Sequence, residues 1–214
     1  ELYRLGYAVY LCDHRGQGLS ERLLADGHKG HVHRFRDYVE DLQRFCEQVL
    51  EPDAPPRRYL LAHSMGGTIA LHYLRRHPQA FRAAALCSPM LGVQLGRWPD
   101  WLARCVLALL GRWAALRGLP SPYVPGTGPY HEVPFAENNL TRDPVRYQEF
   151  RRLYRQHASV QLGGPTVRWL QQAMVAMGEI RKLTPELKTP LLLLGASEDR
   201  VVSNRHLVAF CAAA

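Results

Sequence analysis

The sequence lacks a long apolar run, a paired set of cysteines and an initiator methionine. Its most apolar stretch, Trp101 to Leu110, is interrupted by Arg104 and falls short of the roughly 20 apolar residues that span a bilayer. A transmembrane helix is therefore excluded. The five cysteines, Cys12, Cys46, Cys87, Cys105 and Cys211, are odd in number and form no C-x-x-C pair. They sit mostly in apolar segments, which predicts small buried thiols in a reducing compartment, with no disulfides and no metal site. No signal-peptide pattern opens the chain; Glu1-Leu2-Tyr3-Arg4-Leu5-Gly6-Tyr7 reads as a helix end running into a strand, as in the interior of a longer protein. Internal repeats and low-complexity tracts are absent as well.

What is present is a globular composition. With 214 residues, 47% of them hydrophobic, the chain is long enough to bury a sizeable core. Lys and Arg number 27 against 19 Asp and Glu, a net +8. The excess is local: residues 92–182 hold 12 basic and 6 acidic side chains, and residues 1–91 hold 12 and 10. That segment is rich in apolar residues and carries no reading motif, so nucleic acid is not an expected partner.

Continuous apolar runs at Ala8–Leu11, Tyr59–Leu61, Ala83–Leu86 and Leu191–Leu194 predict buried parallel strands. Between the first two, Phe35, Tyr38, Val39, Leu42, Phe45, Cys46 and Val49 recur at helical spacing up to Pro52, and a second helix is predicted from Ser64 towards His77. Alternating strands and helices predict right-handed crossovers and an α/β fold with a doubly wound parallel sheet. The alternation stops after Pro89 and resumes at Pro190. The intervening segment carries all four tryptophans and reads as short helices joined by Gly/Pro-rich turns. Residues 1–91 and 183–214 are thus expected to form the core and 92–182 an inserted helical cap.

The chemistry centres on Ala62-His63-Ser64-Met65-Gly66-Gly67, between an apolar run and a helical pattern. A serine on a sharp strand-to-helix turn is held in a strained backbone with its hydroxyl exposed, and small neighbours let the helix pack closely. Ser64 is the predicted nucleophile; the plainer alternative is a helix N-cap serine. A serine hydroxyl needs a histidine to take its proton and a carboxylate to orient that histidine. Asp199, in the loop after Leu191–Leu194, is the predicted acid, with Glu198 second; the alternative for Asp199 is a cap on the helix starting near Ser203. The only histidine after Asp199 is His206, read as a surface residue of that helix. His63 is expected to point away from the serine, and His28, His31 and His33 to lie in a loop without a helpful carboxylate. The general base is therefore expected beyond Ala214, and this chain is expected to be inactive. One oxyanion donor is the Met65 amide; the second is expected before Glu1.

Taken with these elements, five blocks carry a resemblance: Asp13-His14-Arg15-Gly16-Gln17-Gly18-Leu19-Ser20, Gly30-His31-Val32-His33-Arg34-Phe35, Ala62 to Gly67, Gly163-Gly164-Pro165-Thr166 and Glu198-Asp199-Arg200-Val201-Val202. The chain resembles the bacterial lysophospholipase branch of the α/β-hydrolases, relatives of monoacylglycerol lipases. The resemblance implies an α/β-hydrolase fold truncated at both ends, without the opening strands and the closing strand-loop-helix that carries the histidine. It also implies a serine hydrolase that cleaves the carboxylic ester of a lysophospholipid and uses no cofactor. The alternatives are a monoacylglycerol lipase or general carboxylesterase and, outside enzymes, a catalytically incomplete lipid-binding protein. The implied location is cytoplasmic, peripheral on the inner face of the inner membrane. The Asp13 to Ser20 block is read as a loop shaped by Gly16 and Gly18, with Arg15 in internal hydrogen bonds and no catalytic role.

In the cap, Trp98, Trp101, Leu102, Val106, Leu109, Leu110 and Trp113 form an apolar stripe at helical spacing. It reads either as packing or as an acyl-chain slot, with Trp98, Trp101 and Arg104 as substrate-binding candidates. Arg97, Arg104 and Arg112 are placed to meet phosphate or an anionic membrane surface.

Overall fold

A computed structural model describes residues 1–53, 55–94 and 100–213. Three strands, β1 (Tyr59–His63), β2 (Ala83–Cys87) and β3 (Leu191–Leu194), form a parallel sheet in the order β1-β2-β3. Tyr59 pairs with Ala83 and Ala84 with Leu191, so all three strands end at one edge. Three of the four predicted strands are present. The fourth, at Ala8–Leu11, forms no ladder with any described strand, and its Val9 and Leu11 are exposed. An apolar run becomes a strand only when another strand satisfies its backbone.

Helix α1 (Arg36–Phe45) continues through a π-helical turn at Cys46–Leu50 into the short α2 (Glu51–Asp53). Helix α3 (Met65–Arg76) follows β1 and buries nine of its residues, including Ile69, Leu71 and Leu74. Helices α4 (Asp100–Leu116), α5 (Pro144–Gln156) and α6 (Val167–Lys182) lie between β2 and β3, and α7 (Asn204–Ala213) follows β3. Helix α3 packs on α1, α6 and β1, and α4 packs on α6. One core therefore runs from Tyr38 and Val39 of α1 through Ile69 and Leu74 to Ala173 and Met177 of α6. His72 of α3 ties this contact, its Nε2 lying 2.9 Å from the Ala176 carbonyl.

The other face of the sheet is apolar and open among the described residues: Leu61 is 62% exposed and Leu192 57%. No helix among the described residues is long and apolar enough to cross a membrane.

Candidate active site

Ser64 sits between the last residue of β1 and the first of α3, with φ +50° and ψ −118°. This is a sparsely populated conformation for a residue with a side chain, costing about 1–3 kcal/mol. Its surroundings hold it there: the Ser64 N–H donates to the Cys87 carbonyl at 3.0 Å, and its own carbonyl accepts from Gly67 and Met90, each at 2.9 Å. The side chain makes no cap hydrogen bond, so the N-cap alternative lacks its defining contact. Met65 is the first residue of α3, where an N–H has no acceptor inside its own helix. That amide is a free donor at the positive end of the helix dipole, directly after the hydroxyl.

The two glycines after Met65 differ. A Cβ on Gly67 would lie 2.7 Å from Pro89 Cβ, so only glycine fits there. A Cβ on Gly66 would meet His14 Nε2 at 3.7 Å and Ala62 Cβ at 3.8 Å, ordinary contact.

The Asp13 to Ser20 loop lies under this turn. Gln17 Nε2 approaches Met65 Sδ at 3.7 Å, His14 stands beside Gly66, and the ring of His14 meets Tyr38 edge-on at 5.8 Å. Burial lowers the His14 pKa, keeping the ring neutral at pH 7. Arg15 makes the internal bonds expected of it, a pair to Asp41 at 2.5 Å each.

Asp199 lies in the loop after β3. Its Oδ1 accepts from the Val201 and Val202 amides at 2.8 and 2.7 Å, closing a turn over Asp199–Val202 that ends before α7 begins at Asn204. It therefore caps its own loop and leaves α7 alone. Neither bond uses Oδ2. The loop is anchored to the one after β2: Val93 bridges Val202, Gln94 N–H donates to the Val201 carbonyl at 2.9 Å, and Gln94 Nε2 donates to the Asp199 carbonyl at 2.6 Å. Glu198, the second choice, is exposed and paired with Arg142. Ser64 and Asp199 thus follow strands two places apart on the same sheet edge, about 10 Å by ordinary strand spacing.

His206 departs from its surface assignment: it is half-buried in the first turn of α7, its ring filling the space a side chain on Gly92 would need. His63 is exposed on the open sheet face beside Leu61. The predicted cap stripe is split across α4. Leu107 and Ala114 are buried towards α6, whereas Trp101, Leu109 and Trp113 lie outside, Trp101 being 67% exposed; Arg104 and Arg112 are exposed too. Trp98 and Arg97 lie outside the described residues.

Sequence reasoning missed one association: the Gly30 to Phe35 and Gly163 to Thr166 blocks are partners. Gly30 bridges Pro165, Gly30 N–H donates to the Gly164 carbonyl at 3.1 Å, Thr166 N–H to the Gly30 carbonyl at 2.8 Å, and Gly163 N–H to the His28 carbonyl at 2.8 Å. His31 Nδ1 lies 2.9 Å from Thr166 Oγ1 in the buried seam. Burial, then His33, Arg168 and Lys29, push its pKa down to about 4. The available signal was two glycine-bearing blocks, each followed by the start of a helix.

Compared with known proteins, the chain matches the serine aminopeptidase S33 hydrolase family over residues 1–214. It is 43% identical to lysophospholipase L2 of Escherichia coli K12 over 99% of this chain and 61% of that protein. It is 35% identical to a probable lysophospholipase L2 of Haemophilus influenzae over 97% of this chain and 64% of that one. The chain therefore spans about three fifths of the length of these relatives. Among solved structures it is similar in fold to a soluble variant of monoglyceride lipase from Saccharomyces cerevisiae, with TM-score 0.63 and 16% identity, covering 92% of this chain and 61% of that one.

Proposed function

The chain belongs to the serine aminopeptidase S33 family, with an α/β-hydrolase fold, and from that premise we propose that its parent protein is a lysophospholipase. Ser64 attacks the acyl carbonyl of a lysophospholipid, and the Met65 amide holds the developing oxyanion. A histidine oriented by Asp199 takes the Ser64 proton and passes it to the leaving alkoxide. Water then adds to the acyl-enzyme with the same histidine as base, releasing the fatty acid and restoring Ser64. The observation that carries this reading is the strained Ser64 backbone, φ +50°, directly before the free Met65 amide. Strain of that kind persists where the surroundings over-determine it, and it gathers at active sites. That histidine is proposed to belong to another part of the parent protein, so this segment by itself is proposed to be inactive.

In this reading residues 1–91 and 183–214 form the core, and 92–182 the cap. The lysophospholipid reading draws on similarity to the two lysophospholipases above. Measuring kcat/KM of the full-length protein on lysophosphatidylethanolamine and on monoolein tests it. A clear preference for the former is expected; an equal or reversed preference assigns the protein to the monoacylglycerol lipases or general esterases instead.

The outer face of α4 supports a protein that rests on an anionic membrane. Trp101, Leu109, Trp113 and Leu116 are exposed on it, with Arg104, Arg112 and Arg117 among them, the composition of a helix lying in a lipid interface. Replacing the three arginines by glutamine should weaken binding to anionic vesicles several-fold, with the difference shrinking as salt rises. Unchanged partitioning would remove the membrane from the proposal.

A further inference from the structure

At the amino end of the sheet, opposite Ser64, a cavity of about 310 Å³ opens between the π-helical turn and the last turn of α3. Its size is at the lower end of small-molecule sites. The floor is buried and apolar: Cys46, Tyr73 and Phe81. Tyr73 stacks on His77 at 4.6 Å and meets Phe81 edge-on at 6.2 Å. Burial raises the Tyr73 pKa, and the neighbouring Cys46 thiol adds to the rise.

Arg58 forms one wall. It is half-buried at the foot of β1, where its carbonyl accepts from Arg82 N–H at 2.8 Å. Its guanidinium has no carboxylate within ion-pair distance among the described residues; its charge and the opposing charge of Glu51 are both felt at Tyr73 and Cys46. Glu51, the acid of the lining, is exposed at the rim. A second observation lies in the wall itself, since Cys46–Leu50 is π-helical and such turns are rare and gather at functional sites. An apolar aromatic floor with one convergent, unneutralised guanidinium matches a ligand that is apolar at one end and anionic at the other.

We propose that this cavity is a second ligand site, taking a small organic carboxylate with an aromatic or short apolar body. The carboxylate is received by Arg58, and the body lies on Tyr73, His77 and Phe81.

The test titrates the full-length protein carrying Ser64→Ala with benzoate, and with benzyl alcohol and benzylamine as its neutral and cationic counterparts, by calorimetry. Benzoate is expected to bind at least about tenfold more tightly than either counterpart, and Arg58→Gln to weaken it by about tenfold or more, as loss of a charge-assisted pair does. Arg58→Lys, which keeps the charge but loses the fork, should weaken it by a smaller factor and serves if Arg58→Gln does not fold. Benzoate binding indifferent to both variants, equal binding of all three probes, or no binding at millimolar benzoate overturns the proposal.

Discussion

Two serines follow adjacent strands of the sheet, and both have positive φ: Ser64 at +50° after β1 and Ser88 at +41° after β2. Each is pinned through its N–H to the neighbouring strand, Ser64 to the Cys87 carbonyl and Ser88 to the Leu194 carbonyl. They part at the next residue. Ser64 is followed by Met65 and the free N-terminus of α3, whereas Ser88 is followed by Pro89, which has no N–H. In the proposed reading the serine that serves as nucleophile is the one whose strained turn stands beside an available donor.

The sharpest way to break this comparison is to remove each hydroxyl in turn from the full-length protein. Ser64→Ala should lower ester hydrolysis by at least about a thousandfold, whereas Ser88→Ala should leave kcat/KM within about twofold. Equal losses would mean that the two turns share a structural role. The link between the turns comes next. Gly67 touches Pro89, so Gly67→Ala should lower stability by about 1–3 kcal/mol in denaturant unfolding through overpacking. Gly66→Ala, which meets only ordinary contacts, should be neutral or stabilising by up to about 1 kcal/mol, since alanine in the first turn of α3 restricts the unfolded chain more than glycine does.

The smallest effect concerns the seam at His31, away from both turns. Its folded pKa is about 4 against 6.5 unfolded, so the unfolded chain binds the extra proton between those values. The stability it contributes is complete above pH 6.5 and is lost as pH falls towards 4. His31→Asn should make the thermal midpoint fall less between pH 7 and pH 5. Part of the slope should remain, because burial also lowers the pKa of His14 and His72. An unaltered slope would show that His31 titrates normally.

How far these features could be read from sequence follows from their range. Tyr59–His63, Ala83–Cys87 and Leu191–Leu194 are fully apolar or nearly so, and the helix starting at Met65 announced itself beside them, so the sheet and the Ser64 turn were legible. Ala8–Leu11 carries the same local signal, but pairing is decided by a partner strand and local composition does not encode it. The Gly30–Pro165 bridge joins segments 135 residues apart, beyond any periodicity. The α4 stripe is split for a different reason: Trp101, Leu109 and Trp113 lie at helical spacing, but the buried face was set by where α6 docks, through Leu107 and Ala114. The need for Gly67 rather than Gly66 came from Pro89, on another strand's loop.

The central claim, that the Ser64 hydroxyl is the nucleophile, is tested most directly by treating the full-length protein with a fluorophosphonate and locating the adduct by peptide mass spectrometry. A single adduct on Ser64, lost in Ser64→Ala and slowed in Asp199→Asn, is the expected result. An adduct on Ser88 or Ser20, or labelling that persists in Ser64→Ala, would contradict it.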